Sequence, residues 1–287
     1  MGYPVYGSQA REASEESSGI ILVNVPSIDN PFYGEVVKGM RMAAQHHEYN
    51  LLIYEGTITD RSLPSLLTTI RQSHAIGIIT VSQLSQSILS RINDLIPVVQ
   101  CCEFNESAPF PYVTVDDFKI GVNAVEYLDS IGRRKIAFLN GPSEYKYARH
   151  RRMGFESGLQ KCGIIFNPKL VISVSNIIPD LAFSAAMQLI KSDYPIDAFF
   201  TTSDVFAMAV IRAVKYSGLR VPQDIAVLGC DNISLSGYFT PSITTISQPC
   251  LQLGATAMEL LVDRISNPDG FIQKIVLEPE LIIREST

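Results

Sequence analysis

The stretch Ile20-Ile21-Leu22-Val23-Asn24-Val25-Pro26-Ser27-Ile28-Asp29-Asn30-Pro31-Phe32-Tyr33-Gly34-Glu35-Val36-Val37-Lys38-Gly39-Met40 changes its hydrophobic period partway along. Its first six residues are an almost unbroken aliphatic run, as in a parallel strand covered on both faces. Asn30 then offers a helix cap and Pro31 a first helical residue, since Pro has no N–H to leave unsatisfied. Beyond them Val36, Val37, Met40, Ala43 and Ala44 recur on one face, and the helix is predicted to run to Asn50. A strand feeding a helix through a short loop is half of a βαβ unit, and the unit recurs down the chain. Strands are predicted over 20–25, 51–54, 76–81, 98–101, 113–115, 136–139, 170–172, 198–201, 226–229 and 244–247. Of the amphipathic stretches between them, the one over 117–130 runs into Gly132, and the one after Asp204 closes at Ser217-Gly218, glycines placed as C-caps. The fold class is α/β, with two doubly wound parallel-sheet lobes and no detectable internal sequence repeat.

Composition agrees with that reading and excludes others. A chain of 287 residues has room for two lobes. With 46% hydrophobic and 18% charged residues it is globular, neither disordered nor coiled-coil. No run of about 18 apolar residues is present, and the N-terminus lacks the charged-then-apolar layout of a signal peptide, so a cytoplasmic protein with no membrane partner is expected. Residues 1–18 carry Gly, Ser and Glu without apolar periodicity and read as a tail or linker. The cysteines, at 101, 102, 162, 230 and 250, form no CxxC pair, which argues against a disulfide framework or zinc site. A net charge of −6 argues that this chain by itself does not hold DNA, because nonspecific affinity comes from neutralising phosphates. The basic groups Arg133-Arg134-Lys135 and Arg149-His150-Arg151-Arg152 read as solvated helix ends and strand entries, with Arg151 set apart below.

No catalytic constellation stands out. The chain has no GxGxxG, GxxxxGK[ST], GxSxG or HExxH. In His46-His47-Glu48 adjacent helical positions point about 100° apart and cannot grip one ion together, so a solvated helix end is expected. Cys102-Glu103 places a thiol beside a carboxylate with no obvious base, which reads as an inert structural cysteine. The expectation is a protein that is not an enzyme, with no catalytic residues, no metal and no cofactor.

Several separated motifs resemble the LacI/GalR family of transcriptional repressors. Pro26 to Tyr33 with Gly39 follows the first strand. Further on come Val115-Asp116-Asp117, Gly132 to Pro142 (GRRKIAFLNGP), Arg151-Arg152-Met153-Gly154-Phe155, Ser203-Asp204-Val205-Phe206-Ala207, Val221 to Asn232, and Pro241 to Ile246, before the terminal Ile283-Arg284-Glu285-Ser286-Thr287. The resemblance covers 19–287. Shorter stretches, Glu103-Phe104-Asn105-Glu106, Cys162-Gly163-Ile164, Ser203-Asp204-Val205 and Glu280 to Arg284, are similar to the cytidine-responsive branch of that family. The resemblance implies two flavodoxin-like lobes of the periplasmic-binding-protein type joined by three crossovers, with 20–113 and 248–271 in the N-terminal lobe and 114–247 and 272–287 in the C-terminal lobe. It implies a homodimer that binds a small-molecule effector, a nucleoside or a sugar, and that meets operator DNA only through an N-terminal helix-turn-helix domain missing from this chain. A solute-binding protein of a transporter shares the fold; the sequence Val221-Pro222-Gln223-Asp224-Ile225 and the Arg-Glu-Ser-Thr terminus favour the regulator.

Ligands in open α/β sheets bind beyond the carboxyl ends of the strands. There the sequence places Phe32 and Tyr33, Ser203 and Asp204, and Asp231 and Asn232. A hydroxyl-rich ring needs a carboxylate to accept its hydroxyl donors and an aromatic face to cover it. Asp231 and Phe32 or Tyr33 supply these, and Arg151 adds a planar fork of donors. The expected effector-binding residues are therefore Phe32, Tyr33, Arg151, Ser203 and Asp231. Asp116 and Asp117 are expected to cap a helix, as is Asp204. Relatives with base-containing effectors often carry a Phe after the strand near Ile172; here Ile177 and Ile178 stand instead, which predicts no advantage for purines over smaller ligands.

Overall fold

The computed structural model describes residues 19–287, and the tail expected over 1–18 lies outside them. The chain starts with β1 (Ile20–Val25), α1 (Pro31–His46), β2 (Asn50–Glu55), α2 (Leu63–Ser73), β3 (Ala75–Thr80), α3 (Gln86–Asn93), β4 (Val98–Cys101) and β5 (Tyr112–Val115). It continues through α4 (Asp117–Ser130), β6 (Ile136–Asn140), α5 (Lys146–Lys161), β7 (Val171–Ser173), α6 (Pro179–Ile190), β8 (Ala198–Thr201), α7 (Asp204–Tyr216), β9 (Ala226–Asp231), α8 (Ser234–Tyr238) and β10 (Thr244–Ser247). It ends with α9 (Cys250–Ser266), β11 (Lys274–Leu277) and β12 (Glu280–Ile282).

These strands form two six-stranded sheets, ordered β11-β5-β4-β3-β1-β2 and β12-β10-β9-β8-β6-β7. Every pairing is parallel except β10 with the edge strand β12. Helices cover both faces of each sheet, which is why the central strands read as unbroken apolar runs. In the first lobe Phe32, Val36, Met40 and Ala44 of α1 pack with Leu253, Ala257 and Leu261 of α9 on one face, while α2 and α3 cover the other. In the second, α6 and α7 cover one face, and α4 and α5 the other. The chain passes between lobes three times, after β5, after β10 and between β11 and β12.

The expected lobe cuts at 113/114 and 271/272 both need moving. β5 continues to Val115 inside the first sheet, and β11 pairs beside it from Lys274↔Tyr112 to Leu277↔Val115, so the segment 272–287 is divided between the lobes. β11 and β12 are four and three residues long and lie at sheet edges with partly exposed residues, so they lack the apolar run that marks the central strands. The first helix ends at His46, before the expected Asn50. Glu48 turns the chain with φ of 59°, and Asn50 is already paired with Ile20. β7 lies one residue later than expected because a 3-10 turn over Pro168–Leu170 holds Leu170. β9 extends two residues beyond the expected Gly229, to Asp231.

Candidate functional site

The carboxyl ends of both sheets face one cleft between the lobes. All five residues expected from the sequence line it: Phe32, Tyr33, Arg151, Ser203 and Asp231. The first two arrive on the opening turn of α1, whose start is fixed by Asn30 Oδ1 accepting from the Phe32 N–H at 3.1 Å. The two rings meet edge to face with centroids 5.4 Å apart and present an aromatic wall from the first lobe.

Arg151 lies in the second turn of α5 and is only 3% exposed. Its Nε donates to Asp117 Oδ1 at 3.0 Å, its Nη2 lies 2.9 Å from the same oxygen in the ion pair, and its Nη1 donates to the Thr202 carbonyl at 2.6 Å. The other Asp117 oxygen accepts from Lys146 Nζ at 2.6 Å. Asp116 and Asp117 were both expected as helix caps. Asp116 caps α4, accepting from the Lys119 N–H at 2.9 Å, whereas Asp117 turns inward to hold the two cations. This pairing depends on α4 and α5 nearly touching. A Cβ on Gly154 would lie 2.0 Å from the Phe118 carbonyl, and one on Gly121 would lie 2.2 Å from that of Arg151.

The helix-cap role expected of Asp204 falls to Ser203 instead. Ser203 is the cap, its Oγ accepting from the Phe206 N–H at 3.2 Å, although it also lines the cleft. Asp204 is buried as the first residue of α7, accepting from Thr245 Oγ1 at 2.6 Å and the Ile233 N–H at 2.9 Å. Burial raises its carboxyl to about 7, against the lowering effect of those donors.

Asp231 ends β9 with φ of 112°, and Asn232 follows at 59°, left-handed conformations that Asp and Asn tolerate better than most residues. Asp231 Oδ1 accepts from Gln248 Nε2 at 2.7 Å. Burial pushes the Asp231 carboxyl well above the usual carboxylate range despite the Arg151 guanidinium nearby.

Glu103, Tyr147, Thr202 and Gln248 are among the cleft residues that the sequence reading missed. Glu103 follows β4 in the first lobe and receives the Lys146 and Tyr147 N–H groups of α5 at 2.8 and 3.0 Å. The α5 helix has no side-chain cap of its own, so Glu103 supplies one from the other lobe. Burial raises the Glu103 carboxyl to about 7, an effect the nearby Lys146 opposes. The position of Glu103 just past a strand end was a usable signal. Tyr147 faces the cleft from the second lobe, and Arg151 lies over its ring at 5.1 Å. Ile177 also lines the cleft, so the aliphatic loop is where the sequence put it, but Tyr147 supplies the second aromatic surface that the loop lacks.

Cys102 lies in the cleft wall, its thiol held well above the ordinary range by the Cys101 thiol 3.6 Å away and by burial, which disfavours a reactive thiolate. His47 pairs with Glu259 at 3.0 Å. Among the described residues no group of three His, Cys, Asp or Glu side chains is placed to hold a metal ion, and no helix is long and apolar enough to cross a membrane.

Known proteins share this architecture. A family model described as a periplasmic binding protein-like domain matches residues 125–287. The HTH-type transcriptional repressor CytR of Escherichia coli (strain K12) is 31% identical over 96% of this chain and 82% of its own length. A structure of the transcriptional regulator CelR in complex with cellobiose superposes with a TM-score of 0.85 at 26% identity, covering 93% of this chain and 84% of that one. A LacI family transcriptional regulator from Enterococcus faecium with bound ribose gives a TM-score of 0.83 at 25% identity, covering 93% and 98%. With these matches and two parallel-dominated sheets flanking one cleft, the chain belongs to the LacI/GalR family of transcriptional repressors, as its periplasmic-binding-protein-like, effector-binding core.

Proposed function

We propose that the cleft binds a nucleoside, cytidine first, and that its occupancy controls operator binding by a homodimeric repressor. Asp231 accepts from the ribose hydroxyls, Phe32 and Tyr33 cover one face of the base with Tyr147 opposite, and Arg151 donates to a base carbonyl. The observation that carries this reading is the convergence on one interlobe cleft of a buried carboxylate, a guanidinium and aromatic rings from both lobes. Ribose in the Enterococcus faecium structure supports the sugar half. The wording shared with the cytidine-responsive branch supports the base. Arg151 has donors to spare, since a guanidinium carries five N–H groups and the hydrogen bonds to Asp117 and Thr202 engage two of them.

Effector control then follows from differential affinity: a ligand that touches both lobes favours the lobe arrangement that lets it do so, and a coupling of about 1–3 kcal/mol is typical. The chain acts by binding and catalyses nothing. Titration calorimetry with cytidine, ribose and cellobiose tests the ligand. Cytidine is expected to bind at least tenfold more tightly than either sugar, and a sugar bound more tightly than cytidine overturns the nucleoside. Sedimentation tests the assembly, with a dimer expected at micromolar concentration.

A further inference from the structure

Three consecutive hydroxyl residues, Thr201, Thr202 and Ser203, lead from β8 into α7, and their hydroxyls fare differently. Thr201 Oγ1 donates to the carbonyls of Ser203 at 2.9 Å and Leu228 at 3.2 Å. Ser203 Oγ accepts from the Phe206 N–H. Thr202 lies between them, 2% exposed, in the wall of the cleft. Its backbone is engaged, the N–H donating to the Leu139 carbonyl at 2.9 Å and the carbonyl accepting from Arg151 Nη1 at 2.6 Å. Its side-chain Oγ1 is buried with no hydrogen-bond partner. A buried hydroxyl without a partner destabilises the empty protein, and a ligand that pairs with it recovers the cost.

We infer that the Thr202 hydroxyl is a specificity-determining contact, donating a hydrogen bond to the ligand carbonyl oxygen that Arg151 also addresses. The inference rests on the nucleoside reading and assigns one corner of its site. Arg151 brings only donors to this corner, so the ligand atom held there must accept. The oxo group of a pyrimidine has two lone pairs and no proton, and can take one bond from the guanidinium and one from the threonine. A sugar hydroxyl could accept from Arg151 and donate its own proton to Thr202 Oγ1, but in the nucleoside reading the ribose hydroxyls donate to Asp231, so free ribose leaves this corner unfilled. The residue expected from sequence, Ser203, is one position away, with its Oγ occupied at the helix end.

The test is calorimetric titration of cytidine and ribose into the wild-type protein and its Thr202→Val, Thr202→Ser and Asp231→Asn variants, with melting of each ligand-free protein. Valine keeps the shape and removes the hydroxyl. Thr202→Val is expected to weaken cytidine by about 5–30-fold, the loss of one hydrogen bond to a buried group, and to leave ribose within about twofold. Thr202→Ser is expected to retain cytidine binding, and Asp231→Asn to weaken both ligands. Ligand-free Thr202→Val is expected to melt about 1–3 °C higher, because an unpaired polar group has gone. Thr202→Val protein that binds cytidine as the wild type does, loses ribose equally, or melts lower when empty overturns the Thr202 assignment alone. Wild-type protein that ignores cytidine overturns it together with the nucleoside.

Discussion

A carboxylate at residue 231 costs the empty protein stability, which is the physical reason to look there for a ligand. Asp231 is 5% exposed, its carboxyl oxygens have one hydrogen-bonding partner among the described residues, Gln248, and burial raises its carboxyl well above the ordinary range. Ribose hydroxyls would donate to it and favour the ionised form. Asp231→Asn is therefore expected to weaken cytidine by about 1–3 kcal/mol in calorimetry, since neutral hydrogen bonds replace charge-assisted ones. The empty variant should melt no lower than wild type. Unchanged affinity would remove Asp231 from the site. The same local balance of charge predicts which ligands are refused. Glu103, Asp117 and Asp231 line the cleft, and its arginine is already paired with Asp117, as is the neighbouring Lys146. Among the described residues a phosphate finds no free cation there. Cytidine 5′-monophosphate should bind at least about tenfold more weakly than cytidine, the 1.4 kcal/mol that even modest like-charge repulsion supplies. Tighter binding of the monophosphate would contradict this account of the electrostatics.

Among the elements, α5 carries most of the cleft chemistry, and its placement depends on atoms too small to see in a hydrophobic pattern. Arg151 reaches Asp117 because Gly121 and Gly154 let α4 and α5 approach to backbone contact. Gly154→Ala puts a methyl 2.0 Å from the Phe118 carbonyl, which cannot yield as a flexible side chain would, and should cost about 2–3 kcal/mol of stability in denaturant unfolding. Gly34→Ala on the exposed face of α1, with nothing within 4 Å, should be neutral or stabilise by up to about 1 kcal/mol. Equal effects of the two would show that the helix contact is looser than described. The elements that the sequence revealed are those with a strong local signature. β1 and α1 announce themselves by a change of period with Asn30-Pro31 at the boundary, and α4 was placed from Asp117 to Ser130 by its apolar face and Gly132. What stayed hidden depends on distant partners. β11 is a strand because β5 pairs with it, about 160 residues earlier in the chain. Glu103 becomes a helix cap only when the lobes meet, and Tyr147 acquires its place only when Glu103 and Asp117 fix α5. Of the site, Phe32, Tyr33, Ser203 and Asp231 were readable from the strand ends they follow, whereas Glu103 and Tyr147, whose roles are set where the lobes meet, were not.

For the molecule as a whole, two buried acids link folding and lobe contact to pH. Glu103 bridges the lobes, and Asp204 ties α7 to Ile233 and Thr245; burial raises both to about 7, from ordinary values of 4.5 and 3.8. Below about pH 4 each is protonated whether the chain is folded or not. Between there and pH 7 the folded protein keeps protons that the unfolded chain releases, so each group's stabilising contribution is lost as pH rises through that window. The slope per group is at most about 1.4 kcal/mol per pH unit, and less where water reaches the site. A net charge of −6 acts in the same direction, since ionising further acids adds to self-repulsion. The melting temperature is therefore expected to fall between pH 5 and pH 7.5. Glu103→Gln separates the two causes. Its side chain stays neutral throughout and still accepts one of the two α5 N–H groups, so the fall should be shallower than in wild type, with the difference concentrated between about pH 5 and pH 6.5. Net charge alone would leave the slopes of the two proteins parallel. A wild-type melting temperature that rises across this range would mean that the carboxylate form of Glu103, held by the Lys146 and Tyr147 N–H groups, is the one that the folded molecule prefers.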